Sequence, residues 1–184
     1  MSDPEAAVHI MDVETFRSRY PAWLEATRPL LEAKDWGASF KTYPFAVNTE
    51  SPWAPQAKPL AECRVALLST AGLYVPGEQP PFRAEDIEGD WSFRELPEGV
   101  APEALAIAHD HYDHTRAETD RNCVYPHARL RELATAGVIG EVASRHYSIS
   151  GYCTRPDHIV ERSAPQIVQR LRQDRVDVLL HVPV

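Results

Sequence analysis

Residues 163–184 read SAPQIVQRLRQDRVDVLLHVPV and indicate the fold more directly than any other stretch of the chain. Ser163 is a suitable N-cap, Pro165 fits the first helical turn, and Ile167 begins an apolar face, so the stretch opens as a helix. Residues 176–184 are almost wholly apolar, which is typical of a strand buried in the centre of a sheet. A helix that leads directly into such a strand predicts a parallel sheet covered by helices.

Two further apolar runs extend this pattern towards the N-terminus. Val65–Leu68 and Leu105–Ala108 each have the length of a buried strand. We therefore predict an open, mostly parallel α/β sheet flanked by helices, in which these two runs and Val176–Leu180 are the central strands. Trp91–Leu96 alternates like an additional strand, and Pro126–Ala136 has the spacing of a helix.

The N-terminal third of the chain has a different character. Residues 13–34 carry apolar side chains at helical spacing, and two prolines should bend or interrupt this helix. Residues 36–60 are rich in proline and aromatic residues, which predicts an arm that packs on its own domain or on a partner subunit. We therefore divide the chain into residues 1–60, the N-terminal helix and Pro-rich arm, and residues 61–184, the α/β domain.

Composition narrows the range of functions. The 184 residues carry a net charge of −8, which argues against partners such as nucleic acid or an anionic membrane surface. No apolar run approaches the roughly 20 residues of a membrane span, and the acidic N-terminus lacks the pattern of a signal peptide. Three dispersed cysteines fit a reducing compartment better than a disulfide framework. We therefore expect a cytoplasmic protein.

The densest group of chemically active side chains is His109-Asp-His-Tyr-Asp-His114. Three histidines and two aspartates in six residues are difficult to explain by packing, since neither type commonly fills a core. If the segment is extended, His109, His111 and Asp113 project to the same side. Together with His114, they are candidate ligands of a divalent metal such as zinc, iron or manganese. A metal-free site that binds substrate or transfers protons, and a purely structural loop, are the alternatives.

The same six residues match the H-x-H-x-D-H pattern of metallo-β-lactamase-like hydrolases. That resemblance implies a four-layer sandwich of two sheets with further metal ligands downstream. There this chain offers only His146, His158 and His181. A metallohydrolase is therefore a second alternative for the function.

Other side chains are candidate contributors to the same site. Ser69 and Thr70 follow an apolar run, and their hydroxyls and backbone N–H groups suit a carboxylate or phosphate, although an ordinary turn is the alternative. His146 is a candidate cationic contact, with a solvated position as the alternative. Cys123 is also a candidate, but a buried inert thiol is the simpler interpretation of both Cys123 and Cys153.

The ends of the predicted strands should lie together. In open parallel sheets, binding sites form at the carboxyl ends of the strands. We therefore expect the histidine cluster, the loop Ser69–Gly72 and the end of the last strand, at Val184, to line one pocket.

Five stretches of the chain occur in an order and spacing that a known family shares. They are 65–72 (VALLSTAG), 89–95 (GDWSFRE), 108–114 (AHDHYDH), 120–126 (DRNCVYP) and 145–151 (RHYSISG). Together they resemble the selenoprotein B subunits of glycine, sarcosine, betaine and D-proline reductases, and the D-proline reductase-like branch most of all. The resemblance runs from about Leu60 to the C-terminus, about two thirds of the chain.

This resemblance implies a subunit of a reductase that cleaves a carbon–nitrogen bond in a small amino acid. It also implies a reactive selenocysteine, or a cysteine in some members, just after a strand like residues 176–184, with a second cysteine a few residues later. Selenols suit this role because they are ionised at neutral pH, as thiols are only when activated. The reactive residue would follow Val184, so no residue of this sequence receives the role of nucleophile.

We therefore expect the reading frame to continue past Val184, most simply through a UGA selenocysteine codon read as a stop. On this interpretation the sheet is incomplete at its C-terminal side, and the 184 residues alone are inactive. The alternative is a non-catalytic homologue, which binds a small amino-acid-like ligand or pairs with a second copy or a partner reductase subunit without turnover.

Overall fold

The computed structural model describes residues 12–45 and 54–184. The chain divides between Pro55 and Gln56 into two compact units. Within this part of the chain, no helix is both long and apolar enough to cross a bilayer. The predicted arm, residues 36–60, falls partly outside the described residues, so its packing stays a prediction.

The first unit is helical. It contains α1 (Val13–Glu32), α2 (Trp36–Ser39) and a 3-10 turn (Phe40–Thr42). α1 runs without interruption through Pro21 and Pro29, whereas the sequence predicted a bend or a break. Both prolines lie on the exposed side of α1, where a missing N–H group does least harm, because packing on the opposite side holds the helix together.

That packed side of α1 is aromatic. Its rings form tilted and edge-on contacts with centroids 4.8–6.0 Å apart. The participating residues are Phe16, Tyr20, Trp23, Phe40 and Tyr43. The Trp23 indole N–H also donates to the carbonyl of Ser39 at 3.0 Å, so α1 and α2 are joined by a directed bond as well as by apolar contact.

The second unit is built around a mixed sheet. In chain order its strands are β1 (Arg64–Ser69), β2 (Leu73–Tyr74), β3 (Phe93–Pro97), β4 (Ala106–Ile107), β5 (Glu141–Val142), β6 (Arg145–Ile149) and β7 (Val178–Val182). Its helices are α3 (Thr115–Thr119), α4 (His127–Thr135), α5 (Pro156–His158) and α6 (Ala164–Gln173), with a π-helix at Ile159–Ser163 and 3-10 turns at Leu60–Glu62, Pro102–Ala104 and Arg121–Cys123.

β1 is the central strand of this sheet. β7 pairs with one edge of β1 in parallel, from Val65 opposite Val178 to Ser69 opposite Val182. β5 and β6 pair in parallel with the other edge, and β3 pairs with β6 in antiparallel fashion. The predicted open, mostly parallel α/β sheet is therefore confirmed.

β5 and β6 lie end to end along β1 and leave a gap between them. Arg64 pairs with Glu141, whereas Leu68 pairs with Tyr147, so the β5–β6 side contains two more residues than β1 over this stretch. The Leu67 N–H points into the gap and donates instead to a side chain, Nδ1 of His146, at 3.0 Å.

The expectation that Leu105–Ala108 forms a central strand is wrong. Only Ala106 and Ile107 are in a strand, and β4 pairs with β2 in a separate two-stranded antiparallel sheet. The reason lies at Gly72, whose φ of +69° turns the chain out of β1. A β-carbon on Gly72 would lie 2.5 Å from the carbonyl oxygen of Ala108, so β4 reaches this position only beside a glycine.

Two expectations for the C-terminal stretch are also wrong. β7 is not central, because within residues 54–184 it pairs with β1 alone, and Leu179 and Leu180 are 39% and 43% exposed. Apolar composition indicates that a strand favours burial but does not identify the elements that cover it. Ser163 is not an N-cap, because residues 156–173 run as one helix and its hydroxyl donates to the carbonyl of Trp91.

Candidate functional site

The carboxyl ends of β1, β6 and β7 meet at one edge of the sheet. Just beyond β1, the Thr70 N–H donates to the carbonyl of Val182 at 3.1 Å, and the Thr70 hydroxyl accepts the N–H of Val184 at 2.8 Å. The Gly72 N–H donates to the carbonyl of Ile149, at the end of β6, at 3.0 Å. These bonds hold three strand ends together where parallel sheets usually carry their binding sites.

His109 reaches this edge beside Gly151. A β-carbon on Gly151 would lie 3.0 Å from Nε2 of His109 and 3.2 Å from each of the carbonyl oxygens of Thr70 and Val184. The structure thus brings a histidine of the cluster, the loop after β1 and the end of the last strand together around Gly151.

The protonation state of His109 follows from its contacts. The ring is 4% exposed, and its Nδ1 accepts the N–H of His111 at 3.1 Å. The neutral ring then carries its proton on Nε2, and this group has no hydrogen-bond partner among the described residues. Burial, together with the charges of His111 and His114, lowers the pKa of His109 to about 4. At neutral pH His109 is therefore an uncharged donor.

The other two histidines of the cluster make different contacts. His111 stacks on Tyr152, with ring centroids 3.8 Å apart and an interplanar angle of 15°. The Nε2 of His114 donates to the carbonyl of His109 at 2.6 Å. Residues 110–112 form a bend rather than a strand. The condition under which His109, His111 and Asp113 would project to one side, an extended segment, is therefore not met.

Asp113 is exposed, and its carboxylate is engaged locally. It accepts hydrogen bonds from the hydroxyl and the N–H of Thr115 at 2.6 and 2.9 Å, and these bonds lower its pKa. In the described part of the chain, no three His, Cys, Asp or Glu side chains are arranged to hold a metal ion. The metal-ligand interpretation of His109, His111, Asp113 and His114 therefore gains no support from the structure. The two-sheet sandwich of a metallohydrolase is also not seen within residues 54–184.

Tyr112, for which the sequence predicted no role, belongs to the same edge. Its hydroxyl donates to the carbonyl of Ala71 at 3.2 Å, and its ring centroid lies 5.0 Å from that of His109 and 4.4 Å from that of His114. Burial raises the pKa of Tyr112 to about 12, against the opposing charge of Arg121. Its position inside the histidine motif was the signal that could have identified it.

Ser69 and Thr70 have separate roles. Ser69 is buried, and its hydroxyl donates to the carbonyl of Val124 at 2.7 Å and accepts the N–H of Ala71 at 3.2 Å. It therefore holds the loop in place. Thr70, one residue later, reaches the edge through its bonds with Val184.

The cysteines do not form a pair. Cys123 is exposed, so the expected buried position is wrong for this residue. Cys153 is partly buried, and burial raises the pKa of its thiol to about 11. Cys63 is fully buried immediately before β1.

His146 lies within the sheet rather than at its edge. It is fully buried, accepts the Leu67 N–H described above, and packs with Tyr125 and His127 at ring-centroid distances of 5.9 and 5.2 Å. Burial, and secondarily the charge of His127, lowers its pKa to about 3. The side chain is therefore uncharged rather than the cationic contact that the sequence suggested.

A depression of the second unit lies at the opposite end of β1, around Arg64. It has a volume of about 720 Å³ and is lined by residues that include Arg64, Glu98 and Glu141. Of its two arginines, Arg64 is already paired, since it lies 2.8 Å from Glu141. The strand ends around His109 contain a buried polar atom without a partner among the described residues, Nε2 of His109, so they are the better candidate site.

Three curated proteins are similar to this chain. D-proline reductase subunit gamma of Acetoanaerobium sticklandii is 28% identical over 128 residues, which are 70% of this chain and 51% of that protein. Glycine reductase complex component B subunit gamma of Symbiobacterium thermophilum is 27% identical over 140 residues, or 75% of this chain and 32% of that protein. Sarcosine reductase complex component B subunit beta of Peptoclostridium acidaminophilum is 26% identical over 146 residues, or 78% and 33%.

This chain thus spans about half the length of the first relative and about a third of the other two. No solved structure matches it significantly. The family model described as "Glycine/sarcosine/betaine reductase selenoprotein B (GRDB)" matches residues 26–182, which is most of the chain and includes all five stretches quoted from the sequence. The chain therefore belongs to the glycine/sarcosine/betaine reductase selenoprotein B family.

Proposed function

We propose that this chain supplies the amino-acid-binding part of a reductase subunit, and that the substrate lies at the carboxyl edge of the sheet beside His109. The observation that carries this proposal is the meeting of three polar atoms around Gly151: Nε2 of His109 and the carbonyl oxygens of Thr70 and Val184. Carbonyl oxygens accept from a cationic nitrogen, and the unpaired Nε2–H orients a polar ligand. Small amino acids such as glycine, sarcosine and D-proline offer the complementary N–H groups.

The reaction is reductive cleavage of the bond between the α-carbon and the nitrogen. For glycine, two electrons and two protons convert the zwitterion into acetate and ammonium. The α-carbon gains a hydrogen, and the nitrogen leaves with the electron pair of the broken bond and takes up a proton. His114 is our candidate for proton transfer, because it is only partly buried and its Nε2 is already bound to the carbonyl of His109, which leaves Nδ1 for exchange with water.

The electrons require a selenol or thiol, the reducing group that the family resemblance implies. None of the three cysteines is assigned this role. Cys63 is fully buried, and the raised pKa of Cys153 keeps its thiol protonated at neutral pH. Cys123 is exposed but is a single thiol without a partner cysteine. We propose a selenocysteine of the full-length protein as the reducing group.

Partners and location complete the proposal. The relatives are named as subunits of a reductase or of reductase complexes, which supports assembly of this chain with a partner subunit. Its three free cysteines support a reducing compartment such as the cytoplasm. A non-catalytic binding or accessory subunit is the second candidate, favoured by the lack of an activated thiol among the three cysteines.

Ligand binding tests the site directly. Calorimetric titration of the purified chain with glycine, sarcosine, betaine and D-proline should detect binding of at least one of them. His109→Ala should weaken that binding about tenfold or more, because it removes the unpaired donor. His181→Ala, a histidine exposed on β7, is the matched control and should bind normally.

Two results would contradict the proposal: no binding of any of the four ligands, or equal affinity in His109→Ala and the unsubstituted protein. Ammonium release from glycine by the full-length selenocysteine-containing protein, in the presence of a dithiol, separates the two candidates. The reductase releases ammonium, whereas a binding subunit holds the ligand without turnover.

A further inference from the structure

Arg121 has one buried guanidinium nitrogen whose hydrogen-bonding capacity is unused within the part of the chain that the structure describes. Nη1 of Arg121 is shielded from solvent and has no hydrogen-bond partner among the described residues. Other arginines of the second unit are paired: Arg145 lies 2.7 Å from Asp174, and Arg155 lies 2.8 Å from Asp157. A guanidinium N–H that is shielded from water and has no acceptor is unfavourable unless a ligand accepts its hydrogen bond.

The backbone around Arg121 is held firmly. Its carbonyl accepts the N–H groups of Val124 and Tyr125, at 3.2 and 2.8 Å. On its N-terminal side, the Asp120 carboxylate accepts the backbone N–H and the side-chain amide of Asn122, at 2.9 and 2.8 Å. Hydrogen bonds on both sides of this 3-10 turn fix the backbone position of Arg121. A fixed backbone is typical of a binding residue rather than of a mobile surface arginine.

Tyr112 connects this turn to the strand ends. Its hydroxyl is bound to the carbonyl of Ala71, directly after Thr70, and its ring lies beside that of His109. The turn that begins at Arg121 is bound to the same loop, since the Ser69 hydroxyl donates to the carbonyl of Val124, at the end of the turn, at 2.7 Å. The turn of Arg121 and the Tyr112 hydroxyl therefore both contact the segment just after β1, whereas Gly151 and the carbonyl of Val184 lie beside Nε2 of His109.

The ligands named in the family description and its relatives share one anionic group. Glycine, sarcosine, betaine and D-proline differ in the substituents of the nitrogen, but each carries an α-carboxylate. The guanidinium of arginine is the side chain best suited to a carboxylate, since its N–H groups match the two oxygens. The histidine at the site does not supply this charge, because His109 is neutral.

We propose that Arg121 is the carboxylate-binding residue of the amino-acid site, with the substrate nitrogen directed towards the carbonyl oxygens of Thr70 and Val184. This inference rests on the proposed function. It adds a specificity determinant: the site accepts different substituents on the nitrogen but requires the carboxylate. Because Nη1 of Arg121 is shielded from solvent, its neighbours must shift when the ligand enters.

The test compares ligands with and without the carboxylate. D-proline and its amide, D-prolinamide, are titrated into the unsubstituted chain, Arg121→Gln and Arg121→Lys. We expect Arg121→Gln to weaken D-proline binding about 10- to 100-fold and to leave D-prolinamide binding unchanged. Arg121→Lys should restore part of the D-proline affinity. Arg116→Gln, which alters an exposed arginine of α3, is the matched control, and circular dichroism verifies that each variant is folded.

Acetate serves as a second probe, so that this inference and the proposed function can fail separately. If D-proline binds and Arg121→Gln binds it equally well, or loses D-prolinamide to the same extent, Arg121 is not the carboxylate residue and the proposed function stands. If none of the four amino acids binds but acetate does so in an Arg121-dependent way, the carboxylate site stands and the amino-acid assignment fails. If neither acetate nor any amino acid binds, both are overturned.

Discussion

Two buried histidines of this chain, His109 and His146, have closely similar local chemistry. Each accepts a backbone N–H on Nδ1, from His111 at 3.1 Å and from Leu67 at 3.0 Å respectively. In each, Nε2 has no partner among the residues that the structure describes, and burial lowers the pKa, to about 4 in His109 and about 3 in His146. Neither residue type nor protonation state therefore distinguishes them.

Their surroundings do distinguish them. Nε2 of His109 lies at the strand ends, beside the exposed backbone of Gly151. His146 lies inside the sheet, where it occupies the gap between β5 and β6 and packs against Tyr125 and His127. The comparison teaches that a buried histidine with a lowered pKa is a site candidate only when its second nitrogen lies at an exposed edge of the fold rather than inside the sheet.

The comparison predicts the largest effect for the loss of His146. His146→Ala removes the acceptor for the Leu67 N–H and leaves a cavity, so the free energy of unfolding should fall by about 3 kcal/mol. His146→Asn retains an acceptor at the position of Nδ1 and should recover part of this loss. Urea denaturation measures both. A smaller loss in His146→Ala than in His109→Ala would reverse the assigned roles.

The pH dependence of the free energy of unfolding should reflect the titration of the same two histidines, His109 and His146. Both pKa values in the folded chain lie below the ordinary value of about 6.5, so below that pH the unfolded chain binds protons that the folded chain excludes. Stability is therefore fully present above pH 6.5 and falls as the pH is lowered towards 4. Each ring should contribute about 2 kcal/mol of loss between pH 7 and pH 5.

The contribution of His146 to this loss can be isolated by measuring the unfolding of His146→Asn at pH 7 and at pH 5. The loss between pH 7 and pH 5 should be smaller than in the unsubstituted chain by the contribution of that ring. An unchanged loss would mean that His146 already titrates normally in the folded chain.

Adding one methyl group at the strand ends, in Gly151→Ala, should lower ligand affinity more than it lowers stability. In Gly151→Ala the new β-carbon lies 3.0 Å from Nε2 of His109 and 3.2 Å from the carbonyl oxygen of Thr70, so these groups must shift by a few tenths of an ångström. We expect about a tenfold loss of ligand affinity, measured by calorimetry, and no more than about 1 kcal/mol of lost stability. Normal affinity would show that the ligand does not occupy this volume.

The smallest effect should come from two tyrosine hydroxyls. The hydroxyl of Tyr112 donates to the carbonyl of Ala71, so Tyr112→Phe should lower stability by about 1 kcal/mol. The hydroxyl of Tyr147 is buried without a partner among the described residues, so Tyr147→Phe should be neutral or slightly stabilising. Thermal unfolding of the two variants side by side checks the sign of each effect, and equal losses would refute the distinction.

Part of this fold could be predicted from apolar runs. Residues 65–68 and 178–182 form parallel strands because both have the continuous apolar character of buried or half-buried strands. The run at 105–108 has the same character but lies outside the main sheet, because the positive φ of Gly72 and its contact with Ala108 redirect the chain. A contact between segments that are distant in the sequence cannot be predicted from the local sequence pattern of either segment.

The placement of the residues of the proposed site could also be predicted in part. The density of titratable residues identified His109, and strand-end logic placed it with Thr70 and Val184. The bend at 110–112 was not foreseen, since a short polar segment has no periodicity. No sequence pattern indicated the role proposed for Arg121, because an isolated arginine is usually a surface residue, and only the structure shows that its Nη1 is buried without a hydrogen-bond partner among the described residues.

The position of β1 in the sheet also has a consequence for how the chain folds. Val65 pairs with Val178, and Leu68 pairs with Tyr147, so the central strand leaves the ribosome long before any of its parallel neighbours. Loop closure of this length makes folding slow and leaves both edges of an apolar strand uncovered during synthesis. We expect nascent chains that end between α4 and β6 to depend on chaperones, and the pairing of β1 with β7 to be the last event that secures the strand ends around His109.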